Sequence, residues 1–123
     1  MTVKFREVIP VFRIFDETKA REFYCGFLGF HIDWEHRFAP DAPLYMRVSL
    51  PGLVLHLSEH HGDCSPGGYV VVETRGLDDL HAALLAKNYR YNRPTIEDRP
   101  WDARTVTVVD PFGNRIMFNE AKT

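Results

Sequence analysis

The histidines between positions 56 and 61 are the side chains in this sequence best suited to binding a metal. His56, His60 and His61 lie there with Glu59, and imidazole and carboxylate groups are common zinc ligands. Alternation along an extended strand would place His56 and His60 on one face. A zinc site is therefore one hypothesis. The alternative is that the segment from 61 to 63 begins a loop, in which the histidines are exposed and bind nothing.

Histidine also offers general acid–base chemistry, because its side chain titrates near neutral pH. His36, His56 and His60 are candidate general bases for an enzyme that works without a metal. No spacing of side chains in the sequence is typical of a catalytic triad or of a paired-carboxylate site. The spacing therefore gives no positive sign of an enzyme, and a metal-free enzyme is kept as an alternative to a binding protein.

Aromatic side chains offer a third kind of chemistry, the stacking of a flat guest molecule that a few polar groups orient. The candidates for such a ligand site are Trp34, His36, Tyr45, His56, Trp101 and Met117. Phe38 also lies near the expected concave face. For Phe38 and Met117, however, packing in the core is the favoured alternative. Trp34 lies between two charged residues, which makes a core position harder to explain, and for Trp101 ligand binding and core packing stay equal alternatives. Five carboxylates could attract a cationic guest: Asp33, Glu35, Glu59, Asp63 and Glu120.

The composition limits the number of domains and the classes of partner. The content of 45% hydrophobic and 26% charged residues over 123 positions is typical of one globular domain. A net charge of −2 with scattered Lys and Arg argues against a nucleic-acid partner. A domain of this size does not also enclose a deep cavity, so we expect the pocket to be a cleft or to lie between subunits. Dimerisation follows as an expectation.

The N-terminus is charged, and no apolar stretch approaches membrane-spanning length. We therefore expect a soluble cytoplasmic protein with no membrane partner.

Cys25 and Cys64 match neither a disulfide framework nor a zinc ribbon, and we expect both to be reduced thiols.

The elements that must position these side chains form a first module over about residues 4–60. Asp16 is predicted to cap a helix over 17–28, and Gly29 is predicted to end it in the left-handed conformation. One strand precedes this helix and three follow. The predicted strands are Val8–Phe15, Phe30–His36, Leu44–Leu50 and Leu53–Ser58.

A second module, over about residues 67–120, repeats this order. Its helix is marked by leucines from Leu77 to Leu85 and is closed by Asn88. Its predicted strands are Tyr69–Thr74, a weak one near Tyr89–Tyr91, Arg104–Val109 and Arg115–Phe118. The segment from Gly52 to Glu59 also aligns position by position with the segment from Gly113 to Glu120.

Two tandem βαβββ modules predict an α+β fold. We expect a curved mixed sheet around a concave cleft, with the helices outside. The alternative is a generic α+β sandwich in which the repeat is accidental.

Several motifs at matching places in the chain resemble one known family. The strand, Asp16 and the helix with Glu22-Phe23-Tyr24 are similar to the opening of the glyoxalase/bleomycin-resistance/dioxygenase (vicinal oxygen chelate) superfamily. Asp110-Pro111-Phe112-Gly113-Asn114 resembles the closing turn of that superfamily. Arg99-Pro100-Trp101, followed by Arg104, looks most like the bleomycin-resistance proteins, although Asp102 stands where they have glycine.

The resemblance implies where a metal would bind. Metal-using members take ligands from the first, fifth and eighth strands, and sometimes from the fourth. The corresponding positions here are Ile9 or Pro10, the segment 67–69, Met117 and, on the fourth strand, His56. Only His56 is a customary ligand, and one imidazole does not hold a catalytic metal. We therefore expect no metal and no cofactor.

The resemblance also implies a function. Bleomycin-resistance proteins pair, and crevices between their subunits hold a flat cationic drug without chemistry. We expect a metal-free homodimer that sequesters a planar or amphipathic small molecule, with antibiotics among the candidates, in an intersubunit cleft. An exchanged N-terminal segment is one form that the dimer could take. The alternatives are a lyase- or dioxygenase-like enzyme with a non-standard site, and a regulatory or structural protein with an empty cleft.

Overall fold

The computed structural model of the protein describes residues 2–123, which form two four-stranded sheets and two helical segments. Helix α1 (Glu17–Arg21) continues as a π-helical segment over Glu22–Phe27, and α2 spans Leu77–Ala86. The strands are β1 (Val11–Arg13), β2 (His31–His36), β3 (Tyr45–Leu50), β4 (Leu53–Ser58), β5 (Tyr69–Glu73), β6 (Ile96–Arg99), β7 (Ala103–Val109) and β8 (Arg115–Ala121).

The two sheets have equivalent strand orders, β1-β4-β3-β2 in the first and β5-β8-β7-β6 in the second. In each, the first strand of the module pairs in parallel with the last, and the other pairs are antiparallel. The α+β fold of two tandem βαβββ modules is therefore confirmed. None of the helices within residues 2–123 is long and apolar enough to cross a membrane.

The signals that begin and end the elements act as the sequence predicts. The Asp16 carboxylate accepts a hydrogen bond from the Lys19 backbone N–H at 2.8 Å and so caps α1. Gly52 and Gly113, aligned by the repeat, both have a left-handed backbone, with φ of 83° and 90°. Each precedes the last strand of its module, so the two modules use the same turn conformation.

Two predicted strands differ from the structure. The weak strand near Tyr89–Tyr91 is wrong, because Asn88 has a φ of 55° and the Asn92 N–H bonds the Tyr89 carbonyl, which makes this segment a turn. The Tyr89 ring stacks on Phe27 with centroids 4.8 Å apart. This aromatic residue therefore packs on the helical segment of the first module and does not mark a strand. The strand that follows the helix in this module is β6, which begins several residues later, at Ile96.

The first strand is shorter than the predicted Val8–Phe15. It begins at Val11, and Val8 is 94% exposed. Pro10 has no N–H to donate to a ladder, although its carbonyl still accepts from the His56 N–H at 3.0 Å. Residues 2–8 consequently form an exposed segment ahead of the first sheet.

A hydrogen-bonded turn at residues 110–114 joins the two modules. The Asp110 carboxylate accepts from the Tyr24 hydroxyl at 2.6 Å, and the Asn114 amide donates to the Arg13 carbonyl at 2.8 Å. Asn114 also accepts from the Gly68 N–H at 2.9 Å. A Cβ at Gly68 would lie 2.8 Å from the Phe12 ring, so only glycine fits where β1 passes the start of β5.

Each sheet has one face under a helix and one face free of it. In the first sheet, Met46, Val48, Leu55 and Leu57 are buried in the core with the aromatic residues of the π-helical segment. Because side chains alternate along a strand, the residues between them point to the opposite face. That free face carries the predicted ligand residues of the first module.

Candidate functional site

Six aromatic side chains lie together on the free face of the first sheet and at its end. Four are predicted ligand residues, and Phe38 and His60 join them. Every ring centroid in the group lies within 6.4 Å of another. We call this group the aromatic cluster; its members are Trp34, His36, Phe38, Tyr45, His56 and His60.

The centre of the aromatic cluster is built by the register of three neighbouring strands. Trp34 pairs with Arg47, and Arg47 pairs with His56. The Trp34 and Tyr45 rings are nearly parallel, at 11° with centroids 5.9 Å apart, and the His56 ring stands at 65° to Trp34 at 5.3 Å. Trp34 remains 43% exposed, so part of its ring is open to a guest.

His56 is the polar group at the centre of the aromatic cluster. Its Nδ1 lies 2.7 Å from the Tyr45 hydroxyl. Its Nε2 is buried and has no hydrogen-bond partner among residues 2–123. An unsatisfied buried polar atom costs about 1–3 kcal/mol, and a ligand that bonded this nitrogen would recover part of that free energy.

The surroundings of His56 favour a neutral ring. Burial lowers the pKa of His56 from its ordinary value of 6.5, the nearby Arg47 charge lowers it further, and Glu7 opposes these effects. Burial also raises the pKa of Tyr45, with Asp63 and Cys64 contributing. At neutral pH the pair is an uncharged hydrogen-bonding group beside aromatic faces, which suits a planar guest.

We expect His56 to make the protein less stable in mildly acidic solution. Because its pKa is lower in the folded state, the unfolded chain binds the proton more readily. Its contribution to stability is therefore lost as the pH falls through about 6.5 and below. Urea denaturation between pH 5 and 8 should show this fall, and His56→Gln and His56→Phe should both flatten it. An unchanged pH dependence in both variants would contradict the assignment.

The other two predicted ligand residues belong to the second module, Met117 in β8 and Trp101 in the turn between β6 and β7. They line a cleft of about 420 Å³ with Tyr69, Arg93, Pro94, Thr95, Glu97, Arg99, Thr107 and Arg115. The Trp101 Nε1–H donates to the Asn119 side chain at 2.8 Å, which orients the indole. The Tyr69 hydroxyl lies 3.3 Å from the Met117 sulfur. The structure thus divides the six predicted residues into a group of four and a group of two.

Several residues of these two surfaces were missed or misjudged from the sequence. Phe38, expected to pack in the core, is 80% exposed, whereas Met117 is only 8% exposed but lines the cleft of the second sheet. Arg115 was not among the candidates. Alternation from Met117 would have placed Arg115 on the same face of β8, and its cross-strand partner is Tyr69.

The histidines at the end of β4 do not combine into a metal site. The strand ends at Ser58, and the Asp63 N–H bonds the His60 carbonyl in a turn. The Glu59 carboxylate accepts from the Leu44 N–H at 3.0 Å. Over residues 2–123, no three His, Cys, Asp or Glu side chains converge as potential metal ligands.

The positions that the family uses for metal also lack a suitable set of donors. His56 has Val11 and Arg47 as its cross-strand neighbours. Met117 has Val71 and Thr107. A divalent ion needs several anionic or imidazole donors, and the positive charge of Arg47 beside His56 would repel such an ion. The residues present therefore do not fit the metal that glyoxalases use.

The five carboxylates expected to attract a cation are all bonded within the protein. Asp63, for example, accepts from the Ser58 hydroxyl at 2.6 Å. The other pairs are Asp33 with Arg47 and Ser49, Glu35 with Arg21, Glu59 with Leu44, and Glu120 with Gly76, Leu77 and Arg104. A cationic guest would have to compete with these partners.

Comparisons with known proteins agree with this architecture. A family model described as a glyoxalase superfamily protein matches residues 1–123. A search of curated proteins finds no match.

Among solved structures, a bleomycin resistance determinant encoded on the transposon Tn5 is 19% identical, with a TM-score of 0.74 over 97% of this chain and 100% of the other. A bleomycin-binding protein crystallised with bleomycin is 17% identical, with a TM-score of 0.70 over 96% and 100%. An antibiotic-binding protein from Streptomyces sp. CB03234 is 21% identical, with a TM-score of 0.68 over 98% and 100%. At these identities the similarity shows a shared fold.

Proposed function

The chain belongs to the glyoxalase superfamily, and from that premise we propose that it is a metal-free protein that sequesters a planar or amphipathic small molecule in a cleft between two subunits. The observation that carries this proposal is the aromatic cluster, in which the partly exposed Trp34 lies nearly parallel to Tyr45. Beside them is the His56 Nε2, which has no hydrogen-bond partner among residues 2–123. Similar structures include an antibiotic-binding protein and a bleomycin-binding protein. These support a binding role for the present chain.

The energetics of stacking are sufficient for such a role. Each aromatic contact contributes about 0.5–1.5 kcal/mol beyond the burial of apolar area. Two or three contacts, the buried area and one hydrogen bond to His56 would together support affinity on the order of micromolar.

We test the proposal with a panel of quinones, phenazines and glycopeptide-like compounds. Some should quench tryptophan fluorescence saturably, at one or two molecules per dimer, and return chemically intact after denaturation. Elemental analysis of the same untagged protein should find well below one equivalent of zinc, nickel, iron or manganese. Saturation by no compound, or a firmly bound stoichiometric metal, would contradict the proposal.

A homodimer is part of the proposal, because the aromatic cluster lies on an open face of one chain. The N-terminal segment supports it, since Phe5 and Val8 are 96% and 94% exposed ahead of β1. Exposed apolar side chains such as these are stabilised when they pack on a partner, and symmetric exchange of the segment between two subunits would bury both copies of them.

We expect light scattering at micromolar concentration to give about twice the chain mass of 14.3 kDa. The double substitution Phe5→Ser, Val8→Ser should shift the protein towards the monomer, because it removes the apolar surface. The matched control Lys4→Ser, Arg6→Ser changes the same segment without removing apolar groups and should remain dimeric. A wild-type monomer that still binds ligand would rule out the intersubunit cleft.

A metal-free enzyme is the second candidate, favoured by the hydrogen bond between Tyr45 and His56. A neutral histidine with one free nitrogen can accept a proton, and the phenol can orient the ring. The same panel separates the two functions. Recovery of an altered compound, lost in His56→Gln, would favour the enzyme.

A further inference from the structure

We propose that the cleft of the second sheet binds an anionic group, so that the preferred ligands are planar aromatic molecules carrying a carboxylate or sulfonate. This inference rests on the proposed function and specifies its ligand. We call the cleft that contains Trp101 and Met117 the arginine cleft, because Arg93, Arg99 and Arg115 line it.

The charge of the arginine cleft is opposite to that of the whole chain. Three guanidinium groups and a single carboxylate, Glu97, line it, whereas the chain has a formal charge of −2. Glu97 is already engaged, with its carboxylate 3.0 Å from the Arg99 guanidinium. A concave surface with excess positive charge attracts anions and raises their local concentration.

Arg115 is the side chain best placed to bind the anion. Its guanidinium lies over the Tyr69 ring, 4.2 Å from the centroid. No carboxylate among residues 2–123 lies within ion-pair distance of it, although nine other ion-pair contacts occur in that range. A stacked guanidinium keeps its N–H groups at the edge of the plane, where they can donate two parallel hydrogen bonds to a carboxylate or sulfonate.

The aromatic part of the ligand would lie on Trp101. The indole is held by its hydrogen bond to Asn119 yet is 53% exposed. Arg99 lies on this ring at 5.6 Å from the centroid, so positive charge and an open aromatic surface adjoin. This combination fits a ligand that is flat and negatively charged, and the carboxylates that could have favoured a cation are bonded elsewhere.

The experiment compares three probes with one ring system: anthraquinone-2-carboxylate, its neutral carboxamide and the cationic 2-(aminomethyl)anthraquinone. Calorimetry measures the dissociation constant of each with the full chain. The carboxylate should bind about tenfold more tightly than the carboxamide, as one charge-assisted pair of hydrogen bonds allows. Added salt should weaken binding of the carboxylate and hardly affect that of the carboxamide.

Arg115→Gln should reduce the preference for the carboxylate to near unity. Arg90→Gln is the matched control, since the Arg90 guanidinium also lies over a tyrosine ring, Tyr91, at 5.1 Å, but outside the cleft. That variant should keep the full preference. Both arginines are exposed, so neither substitution disturbs the core.

The outcomes distinguish this inference from the function on which it rests. If the carboxamide or the cation binds as tightly as the carboxylate, or if Arg115→Gln keeps the preference, the anion site is wrong while small-molecule binding stands. If none of the three probes binds but another compound of the panel saturates the protein, the anion site is wrong and small-molecule binding stands. If no probe and no panel compound binds, both proposals fail.

Discussion

Replacing Asp110 with alanine should lower the free energy of unfolding by about 3–5 kcal/mol, a large fraction of the stability of a small domain. Asp110 is only 5% exposed, and its carboxylate accepts four hydrogen bonds. The donors are the Tyr24 hydroxyl, the Phe112 and Asn114 N–H groups and the Asn114 side-chain amide, all at 2.6–2.8 Å. Alanine would leave the Tyr24 hydroxyl and the Asn114 backbone N–H buried without an acceptor, and the Asn114 side-chain amide and the partly buried Phe112 N–H would each lose one.

The position of Asp110 explains why the effect should be global. Tyr24 belongs to the helical segment of the first module, whereas Asp110 follows the β7 strand of the second. Burial and the Asp110 charge raise the pKa of Tyr24, which keeps its hydroxyl protonated as the donor. Loss of the carboxylate would therefore weaken both the turn and the contact between modules.

Urea denaturation followed by circular dichroism measures the expected loss. Tyr24→Phe removes one of the four donors and should cost about 1–2 kcal/mol. Asp41→Ala, in an exposed turn, should leave the midpoint unchanged. A loss below about 1 kcal/mol in Asp110→Ala would show that the hydrogen-bonded turn is not a structural link between modules.

Replacing Trp34 with alanine should weaken binding of the tightest planar ligand at least about tenfold, because both stacking and the burial of a large apolar surface are lost. Trp34→Phe keeps a smaller ring and should give an intermediate affinity. Calorimetry is the suitable measurement, since removing a tryptophan also changes the fluorescence signal.

Tyr91→Ala is the control for Trp34→Ala. Tyr91 is an exposed aromatic residue that lines a separate pocket of about 330 Å³, with Lys19, Glu22 and Pro111 among its walls. Its removal should leave the affinity unchanged. If Trp34→Ala and Trp101→Ala both bind as the wild type does, the stacking site is wrong.

Much of the fold could be predicted from the sequence because the relevant signals are local. A helix cap such as Asp16, the left-handed glycines at 52 and 113, and period-two alternation depend on neighbours a few residues away. The repeat of these signals predicted two βαβββ modules, and the turn at 110–114 was visible as a motif. The error at Tyr89–Tyr91 arose where aromatic residues typical of a strand pack on a distant helix instead.

The site depended on contacts that local signals do not specify. Trp34, Tyr45 and His56 meet because three strands pair in one register, with an irregularity after Ile32 that turns Asp33 towards Arg47. A shift of one residue would have sent each ring to the opposite face.

The sequence by itself determined which side chains were available: six candidate ligand residues, five carboxylates and a set of scattered arginines. Only the tertiary structure decided that four candidates share the first sheet and two lie beside the second. It also decided that every one of those carboxylates already has a partner, and that no carboxylate among residues 2–123 lies within ion-pair distance of Arg115. The physical reason is that pairing between distant segments sets which charges neutralise one another, and this pairing is a property of the folded chain as a whole.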